Sequence, residues 1–194
     1  MLKALEEWKI TAWGCNVRRR VYKVLSKEIK RIGRICLCYS ISDSIPSGKG
    51  EQHLVFGNSK YTFHGNSAET LNWEESNQHC KETGSQLVSI ESKKEWEFLK
   101  NTIQCFSTLE YFIGLKSDSE SKEWRWLSNN SKVNATQGEF PWAKREPSGD
   151  GNCAVMYKEY AGNIGRFNDL DCAHQRPHIC ERSVDSTGQE GMFN

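Results

Sequence analysis

The stretch REPSGDGNC, residues 145–153, sets a carboxylate beside a proline and closes on a cysteine; FNDLDC, residues 167–172, also ends acid-to-cysteine. Two readings compete. Gly149, Gly151 and Pro147 are ordinary turn formers, and Asn168 and Asp169 form turns through their own side chains. Alternatively the two stretches are halves of one oxygen cage. Calcium takes about six to eight oxygens at about 2.3–2.6 Å from carboxylates, amide carbonyls and water, and Glu146, Asp150, Asn168 and Asp169 offer oxygens of that kind, with Glu159 and Asp171 nearby. The rest of the chain has to decide.

Immediately around these stretches the sequence alternates short apolar runs with long polar ones. YFIGL (111–115), EWRWL (123–127), CAVMY (153–157), GRFNDL (165–170) and HICE (178–181) read as strands, separated by segments rich in Gly, Ser and Asn. Loops this long in a compact domain carry function and need staples to stay ordered. Upstream, Asn72 with Glu75 three residues on forms a capping-box pattern, and Gly84 supplies a left-handed stop, so residues 73–83 read as a helix carrying Cys80. SQLVSI (85–90) follows as a strand. Ser92 with Glu95 repeats the cap, and Trp96, Leu99 and Ile103 make the apolar stripe of a second helix. LVFGNSKYTFHG (54–65) supplies two short paired runs. Two early helices followed by short strands and a large irregular region define an α+β domain.

The chain outside this body differs in charge. Residues 1–50 hold 11 lysines and arginines against 4 acids, and the remainder holds 15 against 21. Within the leader, Val17, Val21, Leu25, Ile29, Ile32 and Cys36 recur every three or four positions among Arg18–Arg20, Lys23, Lys27, Lys30, Arg31 and Arg34. This is a basic amphipathic helix pattern over 17–36, read either as a surface that touches anionic membrane or as a solvated connector. SDSIPSGKG (42–50) reads as a linker. The body's negative balance excludes nucleic acid as a partner, since that needs clustered basic charge on the fold itself.

Eight cysteines are present, with no C-x-x-C among them: Cys15, Cys36 and Cys38 in the leader, and Cys80, Cys105, Cys153, Cys172 and Cys180 in the body. Spacing alone does not choose their pairing. Asn129 and Asn134 open N-x-S/T sequons and are expected to carry glycans in a secreted chain. No signal peptide opens MLKALEEWKI and no run of 18 apolar residues exists for a membrane span. The expectation is therefore either a piece of a longer extracellular protein or a body kept in a reducing compartment.

Taken in order, Cys80, FIGL (112–115), WRW (124–126), Glu146-Pro147, Cys153, FND (167–169), Cys172 and Cys180 resemble the C-type lectin-like domain, over roughly Gln52 to Arg182. The resemblance implies a C-type lectin-like fold: α+β, two helices with short antiparallel sheets and a long loop region pinned by disulfides. It implies bridges Cys80–Cys180 and Cys153–Cys172, and leaves Cys105 to pair with Cys36 or Cys38, to bridge two chains, or to stay free. The organisation that follows is a basic leader over 1–50, partly helical or poorly ordered, the lectin-like domain over 51–182 and a flexible tail over 183–194.

The resemblance also implies a calcium site of the sugar-binding type. There, two adjacent sugar hydroxyls replace water on the ion, each accepting from an amide and donating to a carboxylate. Glu146, Asn168 and Asp169 match three ligands. The position after Pro147 is Ser148, where the family has asparagine or aspartate, and a hydroxyl is a poorer ligand without an amide donor. The acid usually found two residues before the loop cysteine is replaced by Gly151, with Asp150 one earlier. The metal set is thus Glu146, Ser148, Asp150, Asn168 and Asp169, holding one Ca2+. The sugar-contacting set is Glu146, Ser148, Asn168 and Asp169, with Trp142, or else Tyr157, as the aromatic face. In calcium-loaded relatives the bond before Pro147 is cis.

Partners implied are glycans or glycoproteins, reached through clustering in a homo-oligomer because one such contact is weak. The alternative is a calcium-independent protein-recognition domain that kept the fold and lost ligands. Ser148 fits neither the mannose-type nor the galactose-type pattern, so sugar type stays open. Zinc between Cys172, His174, His178 and Cys180 is set aside: the spacing is not that of a zinc finger and both cysteines have partners in the resemblance. No H-E-x-x-H, G-x-S-x-G or phosphate loop supports an enzyme. The expected home is extracellular or cell-surface.

Overall fold

The computed structural model of the chain describes residues 51–65 and 70–184, all within the unit Gly48–Asn194. The leader expected over 1–50, its helical pattern at 17–36 and the tail beyond 184 lie outside the described residues.

Local chemistry places the first elements. Strands β1 (Glu51–Phe56) and β2 (Ser59–His64) pair antiparallel with Phe56 opposite Ser59, and Gly57 takes the turn at φ +61°, a conformation a β-carbon resists. Helix α1 (Trp73–Glu82) starts at the expected box: Asn72 accepts from the Glu75 amide at 2.9 Å and Glu75 accepts from the Asn72 amide at 3.0 Å. Helix α2 (Lys93–Ile103) begins where Ser92 Oγ accepts from the Glu95 amide at 3.2 Å, and it buries Trp96, Leu99 and Ile103. The run read as a strand over 85–90 pairs only at β3 (Gln86–Leu87). The next residue, Val88, donates its amide to Ile179 and accepts from the Gly114 amide, and the Leu87 carbonyl so crowds Gly114 that a β-carbon there would lie 2.5 Å from its oxygen.

The remaining strands are β4 (Glu110–Ser117), β5 (Trp124–Trp126), β6 (Lys132–Val133), β7 (Cys153–Tyr157), β8 (Phe167–Leu170) and β9 (His178–Ser183). The sheet runs β1-β2-β9-β4-β5-β6, with β3 on β9, and with β7 joining β4 to β8. All pairings among the described strands are antiparallel except a single parallel bridge, Phe112 with His178, between β4 and β9. The short β6 carries no period that a sequence reading could use. Strand β9 extends through Ser183, and the Val184 amide donates to Asn58 at 2.8 Å, just past the boundary expected at 182.

Two apolar clusters fill the domain. The larger joins β2, α2, β4, β5, Trp142 and Phe167; the smaller surrounds the Cys80–Cys180 bridge with Trp73, Leu87 and Phe112. The bridges expected from the resemblance are formed: Cys80–Cys180 ties α1 to β9 across 100 residues, and Cys153–Cys172 closes the 19-residue segment that contains β7 and β8. Cys105 is also oxidised, which removes the free-thiol expectation, and its partner is not among the described residues. His178 opens β9 fully buried, and burial, then the neighbouring His64 and His79 rings, push its imidazole down to about 3, so it sits uncharged in the core.

Candidate functional site

The loop between β6 and β7 is held by backbone bonds to β8. The Ala143 amide donates to Phe167 at 2.9 Å and the Phe167 amide returns to Pro141 at 3.0 Å. Trp142 is the anchor. Its side chain is 0% exposed, its Nε1 donates to the Asn134 carbonyl at 2.7 Å, and its ring meets Trp124 edge-on at 4.7 Å. No face of Trp142 is open to a ligand, so the expectation that it stacks on a sugar is corrected: an indole this large contributes more inside the apolar cluster than at the surface.

Beyond the anchor the chain turns sharply. Arg145 sits at φ +75° and Gly149 at φ +88°, and the Glu146–Pro147 bond is cis, the isomer implied for the calcium-loaded family loop. The Glu146 amide donates to Ala143 at 3.0 Å and its carbonyl accepts from Gly138 at 2.8 Å, which fixes the residue that bears the carboxylate.

Asp169 reaches the same loop from β8. Strand alternation turns it inward, with zero exposure, while its neighbour Asn168 is half-buried at the next position. Asp169 Oδ1 accepts from the Ser148 amide at 2.6 Å and from the Ser148 hydroxyl at 3.3 Å, and Oδ2 accepts from the Gly149 amide at 2.7 Å. The Glu146 carboxyl lies against Asp169. Its Oε2 is buried without a hydrogen-bond partner. Burial first, then the contact with Asp169 and the charges of Asp169 and Asp150, hold the Glu146 carboxyl above the usual carboxylate range, against a smaller opposing effect from Ser148. Two carboxyls pressed together take up either a proton or a cation.

Of the residues expected at the ion, Glu146, Ser148 and Asp169 therefore share one contact group. Asp150 is exposed and close enough to act on Glu146, and Asn168 adjoins through the strand. Gly151 leaves no room for the family's acid: a β-carbon there would lie 1.9 Å from the Leu170 carbonyl carbon and 2.4 Å from the Asp171 nitrogen. Asp171 is spent locally, accepting from the Ala173 amide at 2.9 Å. Glu159 is exposed. Asn129 and Asn134 stand on the surface, and Asn134 Oδ1 accepts the Thr136 hydroxyl at 2.9 Å.

An exposed aromatic ring that sequence reasoning missed is that of Tyr160. It is 63% exposed, and its ring lies 5.1 Å from that of half-buried Tyr157. The Tyr157 hydroxyl is pushed up by burial first, then by Glu110, Glu146 and Asp150, which places it within electrostatic reach of the loop. An isolated tyrosine in KEYAGN gave no signal of exposure. His174 is exposed on the 171–174 turn, and the sulfurs of Cys172 and Cys180 are held in disulfides, which fits neither a zinc thiolate nor a closed site there.

A disulfide-stapled α+β body with a long acidic loop pinned to one short strand defines the class. The family model of the lectin C-type domain matches residues 69–182, and the chain belongs to that family. Bovine (Bos taurus) E-selectin is 28% identical over 134 residues, 68% of this chain and 27% of that protein, so the chain spans about a quarter of the length of that relative. Among solved structures, an SPL-1–GlcNAc complex superposes with a TM-score of 0.57 at 28% identity, covering 72% of this chain and 95% of the other. A Ca2+-independent C-type lectin, SPL-2 from Saxidomus purpuratus, superposes with a TM-score of 0.57 at 26% identity, covering 72% and 94%. These relatives are selectins and C-type lectins.

Proposed function

We propose that the domain is a calcium-dependent carbohydrate-binding module, with Glu146, Ser148, Asp150, Asn168 and Asp169 around one Ca2+ and with glycans or glycoproteins as partners. The observation that supports it most is the Glu146 carboxyl: one buried oxygen without a partner, the other edge of the group against Asp169. The donor set is all hard oxygen, which suits calcium over transition metals. Calcium, when bound, supplies coordination positions that two adjacent sugar hydroxyls can take from water. The chain's own part is then to accept hydrogen bonds from those hydroxyls at Glu146 and Asp169, to donate from the Asn168 amide, and to offer the exposed Tyr160 face to the apolar side of a sugar ring. Ser148 donates less well than an asparagine would. Cysteines joined in disulfides fit an extracellular or cell-surface home.

A specific observation favours a second reading, a calcium-independent recognition domain. Both Asp169 oxygens are already satisfied by the Ser148 and Gly149 amides, so the loop holds its shape through its own backbone, and one structural neighbour is titled Ca2+-independent. Titrating the chelator-stripped chain with CaCl2 by thermal unfolding separates the two. Calcium at 100-fold over its dissociation constant adds about 2.7 kcal/mol to stability, and Glu146→Gln abolishes the gain. A glycan array read with and without chelator gives the second arm. An unchanged melting curve in calcium together with chelator-resistant binding establishes the second reading.

A further inference from the structure

The calcium loop is not the only cluster of ligand atoms. His64 ends β2 and His178 opens β9, directly opposite each other in the strand register. His79 reaches them from α1, one residue before Cys80, whose bridge to Cys180 fastens the helix to β9 two residues beyond His178. His79 Nδ1 and His178 Nε2 are 2.9 Å apart, and ring centroids are 4.7 Å apart for His64–His79 and 4.5 Å for His64–His178. One ligand atom from each imidazole, with the Cys180 sulfur, falls within a span of 4.8 Å. That sulfur is a neutral disulfide atom, which leaves three imidazole nitrogens.

His178 and His64 are buried at 0% and 1% exposure, and His79 is half-buried, so the cluster meets solvent at the His79 edge alone of the three. The contact between His79 and His178 satisfies one nitrogen of each, yet His178 Nδ1 remains buried without a partner. That nitrogen is the one turned away from the His79 contact, and what points to a ligand is the convergence of the three buried or half-buried rings. Imidazoles without a carboxylate are poor ligands for calcium and good ones for zinc, copper or nickel. Three of them leave the fourth tetrahedral position free.

We propose that His64, His79 and His178 form a second metal site, separate from the acidic loop, which takes one first-row transition-metal ion, Zn2+ foremost, with water in the fourth position at the His79 edge. Nitrogens bound at about 2.0–2.1 Å to a tetrahedral ion stand about 3.3 Å apart, so the 2.9 Å contact widens slightly on loading. The stacked His64 ring, inclined only 15° to His178, turns about χ2 to aim its lone pair at the ion, a soft torsion for histidine. The site clamps β2, α1 and β9 together at the height of the Cys80–Cys180 bridge.

The test uses the full oxidised chain, prepared without a histidine tag and stripped with chelator. ZnCl2 titration by calorimetry is expected to give one saturable site, and Co2+ substitution is expected to give the visible bands of a tetrahedral nitrogen site. His79→Ala, at the half-buried position of the three, is expected to weaken zinc binding at least tenfold while its circular dichroism stays native. His174→Ala and Glu146→Gln are expected to leave it unchanged, and excess CaCl2 is not expected to compete. Zinc binding that is absent, that survives His79→Ala, or that disappears in His174→Ala overturns the site. His64→Gln supplies a second variant should His79→Ala fold poorly; retained tight binding there overturns the three-imidazole set.

Discussion

Gly151 is the most exacting position in the acidic loop, and replacing it tests how that loop is built. A β-carbon at Gly151 would lie 1.9 Å and 2.0 Å from the Leu170 carbonyl carbon and oxygen, and 2.4 Å from the Asp171 nitrogen. Real contacts start near 3 Å, so Gly151→Ala requires the β8 backbone to retreat by about 1 Å. That backbone lies between the Asp169 carboxylate and Cys172, which is locked to Cys153. Overpacking costs about 1–3 kcal/mol where side chains can yield, and here the obstacle is main chain, so the cost reaches about 3 kcal/mol or more. Gly149→Ala is the matched control: φ +88° with nothing within 4 Å of the added carbon, a conformational cost of about 1–2 kcal/mol. In thermal unfolding of the oxidised protein, Gly151→Ala is expected to fall by about 10 °C and Gly149→Ala by about 3–6 °C. Gly151→Asp, which reinstates the family's acid, is expected to destabilise at least as much as alanine and to add no calcium affinity. Equal melting points for the two alanine variants, or a calcium gain in Gly151→Asp, would refute the packing argument and the assignment of Asp150 as the acid on that side.

Trp142→Ala is expected to cost about 3–5 kcal/mol, as for a buried aromatic in a core, read as a lowered urea midpoint; Tyr160→Ala is expected to leave the midpoint unchanged and to weaken glycan-array binding. Burial foremost holds Glu181 and Glu95 above the usual carboxylate range. With the folded value raised, the stability each contributes is fully present below the unfolded value and is lost as pH rises through the folded one. Glu181→Gln, which keeps an oxygen for the Ser89 amide, is accordingly expected to be more stable than the parent at pH 7.5 and to lose that advantage at pH 4, measured by urea unfolding at both. The two described disulfides close segments of 100 and 19 residues; chain entropy assigns them roughly 5 and 3 kcal/mol, so the Cys80→Ala/Cys180→Ala pair is expected to melt below the Cys153→Ala/Cys172→Ala pair. Secreted from an animal cell, the chain is expected to lose two glycans on peptide-N-glycosidase treatment, one fewer in each of Asn129→Gln and Asn134→Gln, read as gel mobility.

The local signals of this sequence decided its helices. Asn72 with Glu75 and Ser92 with Glu95 cap α1 and α2 within one residue of the expected starts, because a cap depends only on atoms three residues apart. The order of Cys80, FIGL, WRW, Glu146-Pro147, FND and Cys180 was enough to place the chain in its family, and through that resemblance to pair cysteines 100 residues apart. Tertiary structure alone decided where side chains face. Trp142 and Tyr160 are both aromatics flanking polar loops, and nothing local tells that one is sealed against Trp124 while the other lies open. Gly151 looked like a lost ligand and is instead the point where β8 passes too near for any side chain. The meeting of His64, His79 and His178 depends on the register of β2 against β9 and on the bridge that draws α1 onto them. Those contacts join residues up to 114 positions apart, from His64 to His178, and a linear pattern carries no term for such a distance.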